Sequence, residues 1–141
     1  MSTRCQTKVT QTGTGWDQSV TLYHHCDGYP AGMVPLFKKA YDAYGLGWEA
    51  GRAGHVASFL CATDPEGFEP EEGHRLHGDI EYYYVLEVQN SKGGSTAERP
   101  EWILSVYDVP FGCESVESMT LLAIGKVAEL DGEAIEATMQ A

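Results

Sequence analysis

The chain has 141 residues, of which 43% are hydrophobic, including three Trp, eight Tyr and four Phe; this length suits one domain with a sizeable core, and such an aromatic content argues against wholesale disorder. No apolar run approaches the ~20 residues of a membrane-spanning helix, and the opening Met-Ser-Thr-Arg-Cys-Gln-Thr-Lys lacks the apolar stretch of a secretory signal, so a cytoplasmic protein with no membrane partner is expected. The net charge of −12 is unevenly placed, with five cations and four anions in residues 1–63 but four and seventeen in residues 64–141; that field repels phosphates and disfavours direct nucleic-acid binding, and it either attracts a basic partner or serves solubility alone.

Val9 to Thr12 reads as extended and breaks at Gly13-Thr14-Gly15. From Gln18 to His25 the residues alternate, with Val20, Leu22 and His24 on one face and Thr21, Tyr23 and His25 on the other, which predicts a strand paired with the first segment in a hairpin. Cys26-Asp27-Gly28-Tyr29-Pro30 is a turn. A helix is predicted from Pro35, with Phe37, Ala40, Tyr41 and Tyr44 on one face and Gly45 as its left-handed stop. A second helix is predicted over residues 48–62, weakened by Gly51 and Gly54 and ended by Asp64-Pro65.

Residues 64–77 form an acidic loop. The segment from Asp79 to Val88 alternates most regularly: Ile80, Tyr82, Tyr84, Leu86 and Val88 share one face, and Glu81, Tyr83, Val85 and Glu87 the other, which predicts a half-buried strand. Asn90 to Arg99 is a turn-rich connection, and Trp102 to Tyr107 is the expected antiparallel partner. From Glu114 onward, Val116, Met119, Ala123, Val127 and Leu130 keep helical spacing, although residues 121–124 read equally as a strand; a short tail helix follows Asp131-Gly132. The order β-β-α-α-β-β-α predicts a single α+β domain of two layers, an antiparallel sheet with helices packed on one face.

Cys5, Cys26, Cys61 and Cys113 contain no C-x-x-C pair, so they are expected as reduced, mostly buried thiols rather than a zinc or redox site. No nucleotide-cradling or serine-nucleophile motif occurs, no cofactor is implied, and the Tyr82-Tyr83-Tyr84 run is better read as core than as a base-stacking platform. Two polar clusters stand at strand–loop boundaries: His24, His25 and Asp27, and His74, His77 and Asp79. If their strands were neighbours, His24, Asp27, His77 and Asp79 would be candidate ligands for a hydrolytic metal; the competing reading gives these histidines structural hydrogen bonds. Asp27, Gly28, Tyr29 and Pro30 likewise admit two readings, an Asx-turn with a packed tyrosine or an anion site near a helix N-terminus.

The opening Met-Ser-Thr-Arg, the run Leu22-Tyr23-His24-His25-Cys26-Asp27-Gly28-Tyr29-Pro30-Ala31-Gly32, and His77-Gly78-Asp79-Ile80-Glu81-Tyr82 with Tyr84 resemble a group of small uncharacterised proteins from bacteria, phages and other mobile elements. The likeness covers roughly the first 90 residues and includes His-x-Asp-Gly-Tyr-Pro and a later Asp-Ile-Glu-Tyr-x-Tyr strand. Ala31 departs from the pattern, where an acidic residue usually follows the proline, and the acidic last third has no counterpart. The resemblance implies a shared fold and a phage setting, not a reaction. These features lead to the expectation of a non-catalytic interaction protein that binds a basic host protein, its sharpest form an inhibitor of a nucleic-acid-handling defence system. The candidate binding residues are His24, Asp27, Gly28, Tyr29, Pro30, His77, Asp79 and Glu81, with Glu69, Glu71 and Glu72 as an acidic surface. Two other readings stand beside it: a metal-assisted hydrolase, and a domain that forms a homodimer through its sheet edge.

Overall fold

The computed structural model describes residues 3–12, 18–89 and 100–139. Strands β1 (Cys5–Thr12) and β2 (Ser19–His24) form the expected antiparallel pair, with Cys5 opposite His24 and Thr10 opposite Ser19. β1 begins four residues earlier than predicted, because Cys5 and Thr7 join Val9 as fully buried positions of one face. The Gly13-Thr14-Gly15 connection lies outside the described residues.

Helix α1 (Pro30–Tyr44) starts at Pro30, not Pro35. Tyr29 is held extended (φ −71°, ψ 158°) before the proline, whose fixed φ suits the first helical turn. Met33, Val34, Phe37, Ala40 and Tyr41 form its buried stripe. Gly45 follows with φ −75°, so it is not the left-handed stop; its N–H simply bonds the Tyr41 carbonyl. The helix expected over 48–62 is divided into a 3₁₀ turn (Trp48–Gly51), an extended Arg52, and α2 (Ala53–Thr63). Groups from the sheet satisfy the backbone at that break: Trp102 Nε1 donates to the Ala50 carbonyl at 2.8 Å, and Gln11 Oε1 accepts from the Ala53 N–H at 2.9 Å.

Inside the acidic loop lies a three-residue strand, β3 (Phe68–Pro70), paired with β2. β4 (Tyr82–Gln89) and β5 (Glu101–Asp108) pair antiparallel as expected, while the connection at 90–99 falls outside the described residues. Of the two readings open after Glu114, the helix does not form and the strand over 121–124 does. A 3₁₀ turn (Val116–Ser118) leads into β6 (Thr120–Lys126), which pairs with β5 across a register shift at Val106/Tyr107. Pairing satisfies the otherwise open edge of β5, and Leu122 and Ala123 pack against the main core. The tail helix forms as α3 (Gly132–Met139).

The sheet order is β3-β2-β1-β4-β5-β6. It is a mixed sheet rather than the antiparallel one expected, because β1 lies at the centre and pairs in parallel with β4, Cys5 opposite Tyr82 and Thr12 opposite Gln89. The α+β class holds, with the helices on one face. Tyr84, Leu86 and Val88 face them, in one core with Val9, Leu22, Phe37, Trp102, Leu104 and Val106. Tyr23, Ile80, Tyr83 and Met119 form a smaller cluster on the other face, so Tyr83 is 1% exposed, and Ile80, expected on the Tyr84 face, precedes the first residue of β4 and packs on the opposite side.

Tyr84 ties the two halves together, its buried hydroxyl donating to the Gly28 carbonyl at 2.6 Å. Removing that donor strands a buried acceptor, so Tyr84→Phe should lower unfolding stability by about 1–2 kcal/mol in urea titration. An unchanged midpoint would show that the bond contributes nothing.

Candidate functional site

The site is built on the arch that leaves β2 at His24 and returns to β1 at Gly28. The Gly28 N–H bonds the Thr3 carbonyl at 2.9 Å, and a Cβ at Gly28 would stand only 2.9 Å from Cβ of Cys5, so close backbone approach dictates glycine here. Between these anchors Asp27 takes a left-handed conformation (φ 53°), one that Asp tolerates better than most residues. Its carboxylate accepts from the Tyr29 hydroxyl at 3.3 Å. The Asp27 and Glu136 carboxylates hold the Tyr29 phenol above its ordinary range, with Asp27 the larger influence.

A cleft of about 440 Å³ opens beside the arch, lined by His24, Cys26, Asp27, Tyr29, Gly32, Leu36, Asp64, Glu66 and Gly67. His24 shares the helix-side face with Leu22, as the alternation predicted, and is 2% exposed. Its Nε2 pairs with Oδ2 of Asp64 at 2.7 Å, and its ring packs edge-on against Phe68 with centroids 4.7 Å apart. Its Nδ1 is buried with no hydrogen-bond partner. Gly67 makes room for this pair, since a Cβ there would overlap both Asp64 Oδ2 and His24 Nε2. Asp64 closes α2 while the Gly67 carbonyl accepts from the His25 N–H, so the end of α2 and the start of β3 position the acid against the imidazole.

His77 and Asp79 lie elsewhere. Tyr23, adjacent to His24 and therefore on the opposite face, packs against the tilted His77 ring (centroids 4.4 Å apart) and donates to Asp79 at 2.8 Å. The set His24, Asp27, His77 and Asp79 is thus divided by the sheet and does not converge on one ion. Among the described residues, no group of three or more His, Cys, Asp or Glu side chains has the geometry to hold a metal.

Over that second face the segment 71–80 builds a polar network. Glu71 accepts from Gln6 Nε2 at 2.7 Å and pairs with His77 Nε2 at 2.5 Å, while the His77 N–H donates to Gln6 Oε1. His74 bridges the Thr21 and Tyr83 hydroxyls; burial, then Lys8, pushes its pKa down. Of the three residues expected as an acidic surface, Glu71 is therefore turned inward, Glu69 is exposed beside His25 at 2.9 Å, and Glu72 is exposed. Glu81 is exposed, its backbone N–H bonded to the Arg4 carbonyl.

Pro30 is buried in the first turn of α1. Of the two readings of this turn, the anion site at the helix N-terminus is filled by the protein itself, since Glu136 of α3 accepts from the Ala31 N–H at 2.8 Å. Cys26 departs from the expectation of buried thiols, being exposed at the cleft; Cys5 is buried, and Cys61 and Cys113 are half-buried. Sequence reasoning missed Asp64 as the partner of His24 and Gly67 as its spacer, and the only signal for either was their place in the acidic loop.

No family model, no curated protein and no solved structure matches the chain.

Two outcomes follow from this geometry. Gly67→Ala should cost about 1–3 kcal/mol of unfolding stability by forcing His24 and Asp64 apart, whereas Glu66→Gln beside it should be nearly neutral; equal effects in urea titration would refute the packing argument. Burial, chiefly, pushes Tyr23 and Tyr83 up to about 12, against an ordinary value of 10. Because the folded values are raised, the stability these phenols contribute is complete below pH 10 and drains as pH rises toward 12. Tyr23→Phe should flatten the alkaline decline of the unfolding midpoint, and an identical decline would contradict the assignment.

Proposed function

We propose that the protein is a small acidic interaction protein whose partner is a host protein with a basic surface, in a phage or mobile-element setting. One observation carries this reading. Among the described residues of 64–139, ten carboxylates are exposed, including Glu66, Glu69, Glu72, Glu114, Glu117 and Glu133, against two exposed cations, Arg75 and Lys126. Asp64, Glu71 and Glu136 are half-buried and paired, and of the exposed carboxylates Asp79 accepts from Tyr23 and Asp131 from the first turn of α3, while Glu66, Glu72, Glu114, Glu117 and Glu133 face solvent. Such a surface steers a cationic partner toward it and rejects nucleic acid. The setting rests on the resemblance carried by the His25–Pro30 and Asp79–Tyr84 motifs, and an inhibitor that occupies the basic groove of a nucleic-acid-handling system is its sharpest form.

The test uses defined probes. In fluorescence anisotropy at low salt, an arginine- and lysine-rich peptide should bind, and an acidic peptide of equal length should not. Because exposed charge carries the attraction, raising ionic strength from about 0.02 to 0.2 M should weaken binding about tenfold or more. Replacing Glu66, Glu69 and Glu72 with glutamine should weaken it further. Binding of neither peptide, or binding indifferent to salt and to these substitutions, would overturn the proposal.

A further inference from the structure

Resting on that reading, we propose that the cleft between the 24–29 arch and the 64–67 turn is the seat of one arginine side chain of the basic partner. Its lining supplies what a guanidinium requires, and among the described residues it contains no Lys or Arg to compete with it. Asp27 and Glu66 are exposed at the cleft, and Asp64 keeps 30% of its side chain open while bonding His24. Tyr29 and Leu36 supply apolar surface for the alkyl stem, and an aromatic face favours a cation laid against it. The volume, about 440 Å³, falls in the range of small-ligand sites.

A second, independent feature points to a donor-bearing ligand. His24 lines this cleft and is 2% exposed, yet its Nδ1 has no hydrogen-bond partner. A neutral imidazole that donates Nε2–H to the Asp64 carboxylate carries its lone pair on Nδ1, and leaving a buried acceptor unpaired is costly. A ligand carrying several N–H donors complements that arrangement. Arginine fits better than lysine, because its planar fork offers five donors to acceptors spread over two loops, whereas an ammonium is a compact and strongly hydrated charge.

The experiment compares two double variants of the full chain, Asp27→Asn/Glu66→Gln at the cleft and Glu114→Gln/Glu117→Gln away from it, which remove equal charge. Asparagine keeps the left-handed backbone of residue 27 accessible. With an arginine-rich peptide, the cleft variant should lose about tenfold or more in affinity and the distant variant about twofold or less, while a lysine-rich peptide should bind more weakly and discriminate less between them. In parallel, Nα-acetylarginine amide titrated into the wild-type protein should shift the His24 imidazole resonances in NMR. Equal losses for the two variants would leave a general electrostatic attraction and remove the cleft from it, with the proposed function intact. Failure of both peptides to bind would overturn the proposed function, and the acetylarginine amide titration then decides the cleft on its own: shifted His24 resonances identify a small-cation site, and unshifted ones refute it. The same titration decides should the cleft variant fail to fold.

Discussion

The parallel pairing of β1 with β4 is the constraint on which the remaining structure depends. β1 lies between β2 and β4, so it is the strand through which the hairpin at one end of the sheet joins the β4-β5-β6 meander at the other. Its register, Cys5 opposite Tyr82, sets which residues lie under the helices and which lie under the 71–80 segment. Alternation does the rest: Cys5 and Tyr84 enter the helix-side core, while Gln6 and Tyr83 meet the polar cover. Such a pairing closes a connection of some seventy residues, whose entropic cost grows only slowly with length and is repaid by a core that neither half could close alone.

The motif around residues 24–30 is largely committed to that architecture. Gly28 seals the arch against β1, and its carbonyl accepts from Tyr84. Pro30 starts α1, whose N-terminus is capped by Glu136. His24 is held to Asp64 through Nε2, and this pair lines the cleft together with Asp27, Tyr29, Cys26 and Glu66. A chain with −12 net charge thus uses a few carboxylates for internal pairing and leaves the others to set the surface potential.

Legibility followed the range of the interactions. The β4 alternation and the β1–β2 hairpin were readable because pleating imposes a period of two on any strand with one buried face. β6 was left undecided because Val116, Met119, Ala123 and Val127 keep helical spacing while residues 121–124 read equally as a strand, and the open edge of β5 decided the matter in favour of the strand. The start of α1 was missed by five residues because both Pro30 and Pro35 satisfy the rule for a first helical turn. β3 has only three residues and carries no period at all. The histidines and carboxylates stood out in the sequence, but their partners did not. His24 finds Asp64 forty residues away, and His77 finds Glu71 across a turn of the loop.

Sequence by itself determined the α+β class, the placement of His24 on the inner face of β2, the inner face of β4 and the acidic character of the later half. These are properties of local pattern and composition, which survive whatever the neighbours are. Only the tertiary structure decided that β1 is central, that His24 and His77 lie on opposite sides of the sheet, and that Asp64 and Gly67 complete the cleft. Strand order and side-chain partnership are settled by competition among distant segments for the same buried surface and the same hydrogen bonds, and a linear pattern records a residue's face but not its neighbour.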